Sequence, residues 1–361
     1  MIDIKINKVS QSRINEVDFD NLVFGREFSD HMFIAEYNGT EWENFRIQPY
    51  GPIPLSPSLS CMHYGQAIFE GLKAYKGQDN EVLIFRPKDN LNRMNESAER
   101  MCMPVIPEEV FIEGLKTLCI LDKEWIPKSE TASLYLRPFL IATDDSLGVK
   151  PSSHYMFMIY GCAVGAYYTK PLNVKIETEY VRACDGGVGE AKTAGNYAAA
   201  MFATVEAQKQ GFNQVLWTDA IEHKYLEELG TSNVFVLTNN TLITPDTRGT
   251  VLKGVTRDSV IKLAQKMGYQ VEERPISVDE LFSFYEQGNL KEVFATGTAA
   301  TITPIAELNY KGRSIKLEMN ENSLSDQLKY KLENIRRGVE EDEFTWNLAA
   351  ETMVSEPNYQ V

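Results

Sequence analysis

The chain has 361 residues, with 36 Lys and Arg against 51 Asp and Glu, a formal net charge of −15. That balance excludes a protein built mainly to bind nucleic acid, which needs a basic face to neutralise phosphates, but leaves room for one basic pocket for a small anion. Hydrophobic residues make up 43% and charged residues 24%, as in globular proteins, and the length suggests two domains that fold without staples.

The N-terminal run MIDIKINKVSQSRINEVDFD lacks an apolar core and carries several acids, so it reads as neither a secretory signal nor a transit peptide. The longest uncharged apolar stretch, Tyr155 to Tyr168, is too short to span a bilayer and reads as a buried strand with its loop. Five scattered cysteines (Cys61, Cys102, Cys119, Cys162, Cys184) with no CxxC predict free, mostly buried thiols in a reducing cytoplasm. The histidines, His31, His63, His154 and His223, are too far apart in sequence to suggest a metal site.

In chain order, His31–Tyr37 and Trp42–Ile47 read as a hairpin around Asn38-Gly39, and Leu72–Lys76 with Val82–Arg86 as a second. Helical spacing follows near Asn90–Met101 and Pro107–Leu121. Ser133–Ala142 and Tyr155–Cys162 read as buried strands, joined by a polar loop, Thr143–Ser153, of a length that is often functional. A short linker lies near Thr169–Leu172. The second half opens with a strand, Val174–Arg182, then a glycine-rich loop and a helix. Gln214–Asp219 is a strand, Val234–Leu237 and Thr241–Ile243 a hairpin, and Val255–Met267 a helix ended by Gly268. A last helix is expected near Ser323–Gly338. Strands and helices without regular alternation indicate α+β rather than a doubly wound sheet.

The run RACDGGVGEAKTAGNYAAAM, Arg182–Met201, places Lys192 among glycines just before a helix. Three readings compete. As a P-loop, Gly186, Lys192 and Thr193 fit, but Ala191 stands where a glycine belongs. Asn196 is also a better N-cap for a helix starting at Tyr197 than a helix starting at Lys192-Thr193. As a plain surface loop, Lys192 is merely solvated. As a Schiff-base lysine, it reacts only as the neutral amine, in a site whose glycines admit a flat cofactor. Tyr197 could then donate to the phenolate oxygen of pyridoxal phosphate (PLP). That cofactor needs an acid at its ring nitrogen, for which Glu227 and Glu228 in YLEELGTSN are candidates. It also needs an anion cradle, for which the helix start at Val255-Thr256 in LKGVTR and the turn at Thr298 in GTAAT are candidates. Singly, each of these residues has an ordinary structural explanation.

With these segments, the chain resembles the branched-chain aminotransferases of the class IV (fold type IV) PLP family. The likeness runs from FGREFSDHM at Phe24 through FEGLKAY at Phe69, FRP at Phe85, SLYLRP at Ser133, VGAY at Val164, AGNYA at Ala194, EELGTSN at Glu227 and LKGVTR at Leu252 to ATGTAA at Ala295. The resemblance implies a mixed α/β fold of two domains with PLP at their interface: a small N-terminal domain, 1–169, a linker, 170–175, and a large PLP-binding domain, 176–361. It implies that Lys192 holds PLP as a Schiff base and moves the proton. Arg182 would line the cofactor site, Tyr197 would meet the phenolate oxygen, and Glu228 the ring nitrogen, with Thr231 following in the same motif. Arg86, Val255, Thr256 and Thr298 would take the phosphate, and Leu252 would lie against the ring. Phe28, Tyr64, Phe69, Tyr135 and Tyr167 would wall the substrate side chain, the amides of Ala299 and Ala300, after Thr298, would take the substrate carboxylate, and Arg137 the distal carboxylate of glutamate. One pocket would thus admit both leucine and glutamate, because an unpaired buried carboxylate is too costly. Animal relatives carry a redox CxxC after the GTA turn. Here those places are Ala300 and Thr303, so thiol regulation is not expected there.

The resulting expectation is a cytoplasmic, homodimeric transaminase of L-leucine, L-isoleucine and L-valine with 2-oxoglutarate, the loop Thr143–Ser153 closing the neighbouring subunit's pocket. Within the family, a D-amino-acid transaminase and an aminodeoxychorismate lyase share the lysine and glutamate and stand as alternatives. A P-loop protein is the rival outside it.

Overall fold

The computed structural model describes residues 2–351. They form two compact units, one made of residues up to Tyr167 and from Asn334 onward, the other of Tyr168–Glu333.

In the first unit β1 (Lys5–Ile6) runs parallel to β3 (Trp42–Pro49), which forms a hairpin with β2 (Glu27–Tyr37). The Asn38 side chain closes that hairpin by accepting the amides of Thr40 and Glu41, both at 3.0 Å, and Gly39 takes φ +100°. Helix α1 (Ser60–Tyr64) and strands β4 (Ala67–Phe69), β5 (Leu72–Lys76) and β6 (Val82–Phe85) follow. Helix α2 (Pro87–Arg100) starts with proline at its first position, where no amide partner is needed, and α3 (Glu108–Leu121) has Pro107 at its N-cap. Strands β7 (Ser133–Ala142) and β8 (Tyr155–Val164) pair antiparallel along their whole lengths.

The sheet order explains why β7 and β8 read as continuous apolar runs. Both are interior, with β2 beyond β8 and β5 beyond β7. Leu134, Leu136, Leu140 and Ala142 of β7 and Phe157 and Ile159 of β8 pack with Leu91, Met94 and Ala98 of α2 and Phe111, Leu115 and Leu118 of α3. The alternate residues, Tyr135, Arg137 and Phe139, therefore face the other side of the sheet. Two occupied faces leave no polar alternation to read.

The second unit opens with β9 (Leu172–Ile176), shorter than the expected strand to Arg182. Glu177 ends it: its carboxylate accepts the amides of Thr178 and Glu179 at 2.9 Å and of Tyr180 at 3.3 Å, which turns the chain. Helix α4 (Ala194–Lys209) leads to β10 (Gln214–Thr218), β11 (Leu226–Leu229), β12 (Ser232–Thr238) and β13 (Thr241–Thr244). Then come α5 (Val255–Lys266), β14 (Gln270–Glu273), α6 (Val278–Glu286), β15 (Leu290–Gly297), β16 (Thr301–Tyr310) and β17 (Arg313–Lys316). Sequence periodicity did not isolate α6, yet Ser277 caps it by accepting the Glu280 amide at 3.0 Å, the serine half of an S-x-x-E start. Strand pairing runs β11-β10-β9-β16-β15-β12, and β11 also pairs with β12, so these strands close on themselves as a barrel. Its core is built from Val174, Ile176, Leu216, Val234, Val236, Ala295 and Ile305, with α6 adding Leu281 and Phe282.

Helix α7 (Leu324–Arg336) contains the division between the units, and β18 (Asn347–Ala349) pairs antiparallel with β6. The expected partition at 176–361 is corrected accordingly: from Asn334 the chain belongs to the first unit, because β6 offers β18 an open strand edge. The cysteines are free, but Cys102 and Cys184 are exposed and Cys61 half-buried, so only Cys119 and Cys162 meet the expectation of burial. Burial pushes the Cys119 thiol up beyond the usual range. Among the described residues no helix is long and apolar enough to cross a membrane.

Candidate active site

The predicted residues divide between the two units. In the second, the glycine-rich loop delivers Lys192 to the residue before the N-cap of α4, and its Nζ donates to Tyr197 OH at 2.7 Å. One helical turn brings the two side chains together. The helix starts earlier than expected. Thr193 is the N-cap, and Asn196 lies inside the first turn with its amide donating to Val188 O at 2.8 Å and Ala191 O at 2.9 Å. Asn196 thus pins the loop instead of capping the helix, and the helix-start argument against a P-loop falls.

Arg182 stitches that loop to the barrel. Its Nη2 donates to Gly189 O at 2.9 Å and to Thr250 O, and its Nε lies 3.1 Å from Glu228 Oε1. Both side chains of this ion pair are buried. Glu228 Oε2 accepts the Leu252 amide at 2.9 Å, while Asn233, the cross-strand partner of Glu228, donates to Leu252 O at 3.0 Å. Two neighbouring side chains thereby clamp both backbone groups of Leu252 and fix the approach to α5. Gly254 is the N-cap of α5, and a Cβ there would come within 2.0 Å of Asn233 Oδ1, so only glycine fits. Val255 and Thr256 follow as the buried first residues of α5, at the positive end of the helix dipole. Thr298, Ala299 and Ala300 form the half-buried turn between β15 and β16. Thr231 is exposed at the β11–β12 turn, beside Gly230 at φ +50°.

Glu227 is buried as well. Burial, with the nearby Glu228 and Asp219 charges, pushes its carboxyl up to about 7 against the opposing pull of Thr250 and Arg182.

In the first unit the face of the sheet opposite α2 and α3 carries an aromatic row. Phe28 and Tyr135 both pair across Cys162, and Arg137 pairs across Tyr160. Phe28 stacks on Tyr50 at 4.8 Å and meets Tyr160 edge-on at 5.7 Å. Arg137 is held within this wall: its guanidinium lies 4.6 Å from the Phe69 ring centroid, and Nη2 is 3.2 Å from Tyr135 OH. Gly71 makes room for that hydroxyl, since a Cβ there would lie 1.9 Å from it. Phe24 contacts both Tyr135 and Tyr167, each at 5.1 Å. Tyr64 is 44% exposed on α1 and donates to Leu147 O, so it holds the 143–153 loop instead of joining the row. Arg86 takes φ +51° at the N-cap of α2, bonds Asp89 through Nε at 2.8 Å and stacks 5.2 Å from the Trp346 ring.

Sequence reasoning missed Phe24, Tyr50, Tyr160, Asn233 and Thr250. Period-two spacing puts Tyr160 on the face of Cys162, and FGREF carries Phe24 beside Phe28, so those two had a signal. Asn233 and Thr250 act through contacts that the sequence does not display.

A family model described as Amino-transferase class IV matches residues 67–308. The chain is 48% identical over 337 residues to the branched-chain-amino-acid transaminase 1 of Bacillus subtilis (strain 168), covering 92% of this chain and 95% of that one. It is 43% identical over 343 residues to the branched-chain-amino-acid aminotransferase of Mycolicibacterium smegmatis, covering 92% and 93%. Among solved structures it resembles the T.th. branched-chain amino acid aminotransferase complexed with N-(5'-phosphopyridoxyl)-L-glutamate, with a TM-score of 0.71 and 26% identity over 88% of this chain and 98% of that one. The Thermoproteus uzoniensis enzyme shares the fold, with a TM-score of 0.74 at 23% identity over 89% and 99%. With its lysine at the start of α4, its buried Glu228–Arg182 pair and a family match over most of its length, the chain belongs to the class IV aminotransferases.

Proposed function

We propose that this chain is a PLP-dependent transaminase exchanging the amino group of L-leucine, L-isoleucine or L-valine with 2-oxoglutarate, to give branched-chain 2-oxo acids and L-glutamate. The observation that carries the chemistry is the Lys192–Tyr197 hydrogen bond at the start of α4. The substrate class follows the names of the relatives in Bacillus subtilis and Mycolicibacterium smegmatis.

The residues fit the cofactor. Lys192 is an amine tethered beside a phenol, Glu228 a buried acid, and Val255 and Thr256 open α5 at the positive end of its dipole. When bound, PLP supplies a carbonyl carbon for the amino group and a ring that takes up the electrons of the Cα–H bond. Lys192 is the residue that holds it. Lys192 Nζ would be the base that moves the proton at substrate Cα. Tyr197 would bind the ring oxygen, and its hydroxyl holds Nζ at 2.7 Å. Glu228 holds a proton at the ring nitrogen, and Arg182 keeps Glu228 in place as an anion. The Val255 and Thr256 amides, the Thr256 and Thr298 hydroxyls and Arg86 bind the phosphate, and Leu252 packs against the ring, with Thr231 at the edge of the same motif.

Phe28, Phe69, Tyr135 and Tyr167 wall the substrate side chain, with Tyr64 at the loop. Ala299 and Ala300 offer turn amides to its α-carboxylate. Arg137, stacked on Phe69 and bonded to Tyr135, stays within an apolar wall and meets the distal carboxylate of glutamate. A homodimer is supported by α4, whose outer side exposes Met201, Phe202 and Val205 at 64%, 58% and 46%. The 143–153 loop exposes Leu147 and Val149 and would close the partner's pocket. The setting is cytoplasmic.

The test is an amino-donor profile with 2-oxoglutarate and added PLP. L-leucine, L-isoleucine and L-valine should yield glutamate. Turnover of D-alanine without L-leucine would replace this reading with a D-amino-acid transaminase, and tight ATP binding by a colourless protein would favour the P-loop rival.

A further inference from the structure

Strand β11 carries two adjacent acids, and the proposed chemistry uses only Glu228. Glu227 is 6% exposed, and its Oε2 meets no hydrogen-bond partner among the described residues. Its carboxyl lies beside the side chain of Thr250, the residue whose carbonyl accepts Arg182 Nη2.

Adjacent strand residues ordinarily face opposite sides of a sheet. Here the pairing slips. Leu226 faces Thr218 and Leu229 faces Leu216, so Glu227 and Glu228 together span the single residue Trp217 of β10. Such a bulge breaks the alternation and re-aims a side chain. Both carboxylates consequently act on one guanidinium: Glu228 as the ion pair of Arg182, Glu227 through its charge.

The charged groups facing Glu227 are Glu228 on its own strand, Arg182 from the segment before the glycine loop and Asp219 from the turn after β10. Arg182 is the one cation among these groups, and its ion pair is with Glu228. Acids that share a buried partner do not all ionise, and the best hydrogen-bonded one keeps the charge. That one is Glu228, which holds both Arg182 and the Leu252 amide.

We propose that Glu227 is a positioning residue that works as the neutral acid, filling a buried place next to the Arg182–Glu228 pair and leaving Glu228 the sole carboxylate paired with that guanidinium. Its consequence for the cofactor rests on the transaminase reading, whereas its protonation does not. When Glu227 ionises, a second negative charge draws on Arg182, and Glu228 loses part of its partner.

The experiment compares the full chain with its Glu227→Gln and Glu227→Ala variants, each without and with PLP. The ordinary carboxyl value of 4.5 is raised to about 7 in the folded chain. Between these two values the folded chain holds a proton that the unfolded chain has lost. Stability of the cofactor-free wild type, relative to Glu227→Gln, should therefore fall as pH rises through this window and level off above it. In the PLP-loaded protein, the cofactor absorbance should show an inflection near neutral pH that Glu227→Gln lacks. Glu227→Ala should bind PLP about tenfold more weakly, and Glu227→Gln should restore that binding, because the neutral amide fills the same buried place without a charge. The proposal is overturned if Glu227→Gln keeps the wild-type pH dependence of stability, or binds PLP no better than Glu227→Ala. Failure of the wild type to bind PLP or to use L-leucine would sink the transaminase reading, while the cofactor-free comparison would still decide the protonation of Glu227.

Discussion

Lys192 and Tyr197 stand five residues apart, and the first turn of α4 brings Nζ and the phenol oxygen to 2.7 Å. A hydroxyl at that distance keeps the amine pointed one way. Replacing Tyr197 with Phe should leave the fold intact, since Tyr197 is only half-buried, and lower kcat about 10- to 100-fold as the ring oxygen and Nζ lose their shared neighbour. Steady-state kinetics beside a thermal melt checks this. An unchanged kcat would remove Tyr197 from the site.

The Arg182–Glu228 pair is buried on both sides, at 7% and 5% side-chain exposure. Breaking such a pair leaves one uncompensated charge, at a cost of about 3–5 kcal/mol. Arg182→Ala is therefore expected to lower the midpoint of urea unfolding more than the double variant Arg182→Met with Glu228→Gln, which leaves no orphaned charge. Both should lose activity, because Glu228 acts as an anion held by Arg182. Equal stability of the two variants would show that the pair is not what anchors this corner of the barrel.

Arg137 gives the clearest substrate split. Its guanidinium lies on Phe69 and bonds Tyr135, so Arg137→Met keeps an apolar wall but removes the cation. KM for 2-oxoglutarate should rise at least about tenfold, as a carboxylate left without its charged partner loses about 2 kcal/mol or more, while KM for L-leucine changes little. The two half-reactions measured separately distinguish this outcome from a general loss of packing, which would raise both.

Much of this was legible because local chemistry and periodicity agreed. Leu72–Lys76 and Ser133–Ala142 are strands at the expected bounds, and α5 ends beside Gly268 at φ +88° as its C-terminal sequence indicates. Lys192 stood out because a lysine among glycines just before a helix is unusual, and candidate partners for it lay elsewhere in the chain, although alone it read equally well as a solvated loop lysine. Other features rest on contacts between distant residues. Glu228 and Arg182 are 46 positions apart, and Leu252 is gripped by side chains 24 and 19 positions earlier. The β11 bulge is visible only in the pairing with β10, and it decides where Glu227 points. The start of α4 was misplaced because Asn196, a good cap by propensity, is used to tie down the loop at Val188 and Ala191. The return of β18 to β6 follows an open strand edge that no local pattern announces.

The central claim is that Lys192 carries the transamination of branched-chain amino acids, and one measurement tests it directly: glutamate formation from L-leucine and 2-oxoglutarate with added PLP, for the wild type and for Lys192→Ala. Glutamate should form with the wild type and not with the variant, which should also lose the yellow colour of a lysine-bound cofactor. Leucine-dependent glutamate formation that persists at the wild-type rate in Lys192→Ala would contradict the account.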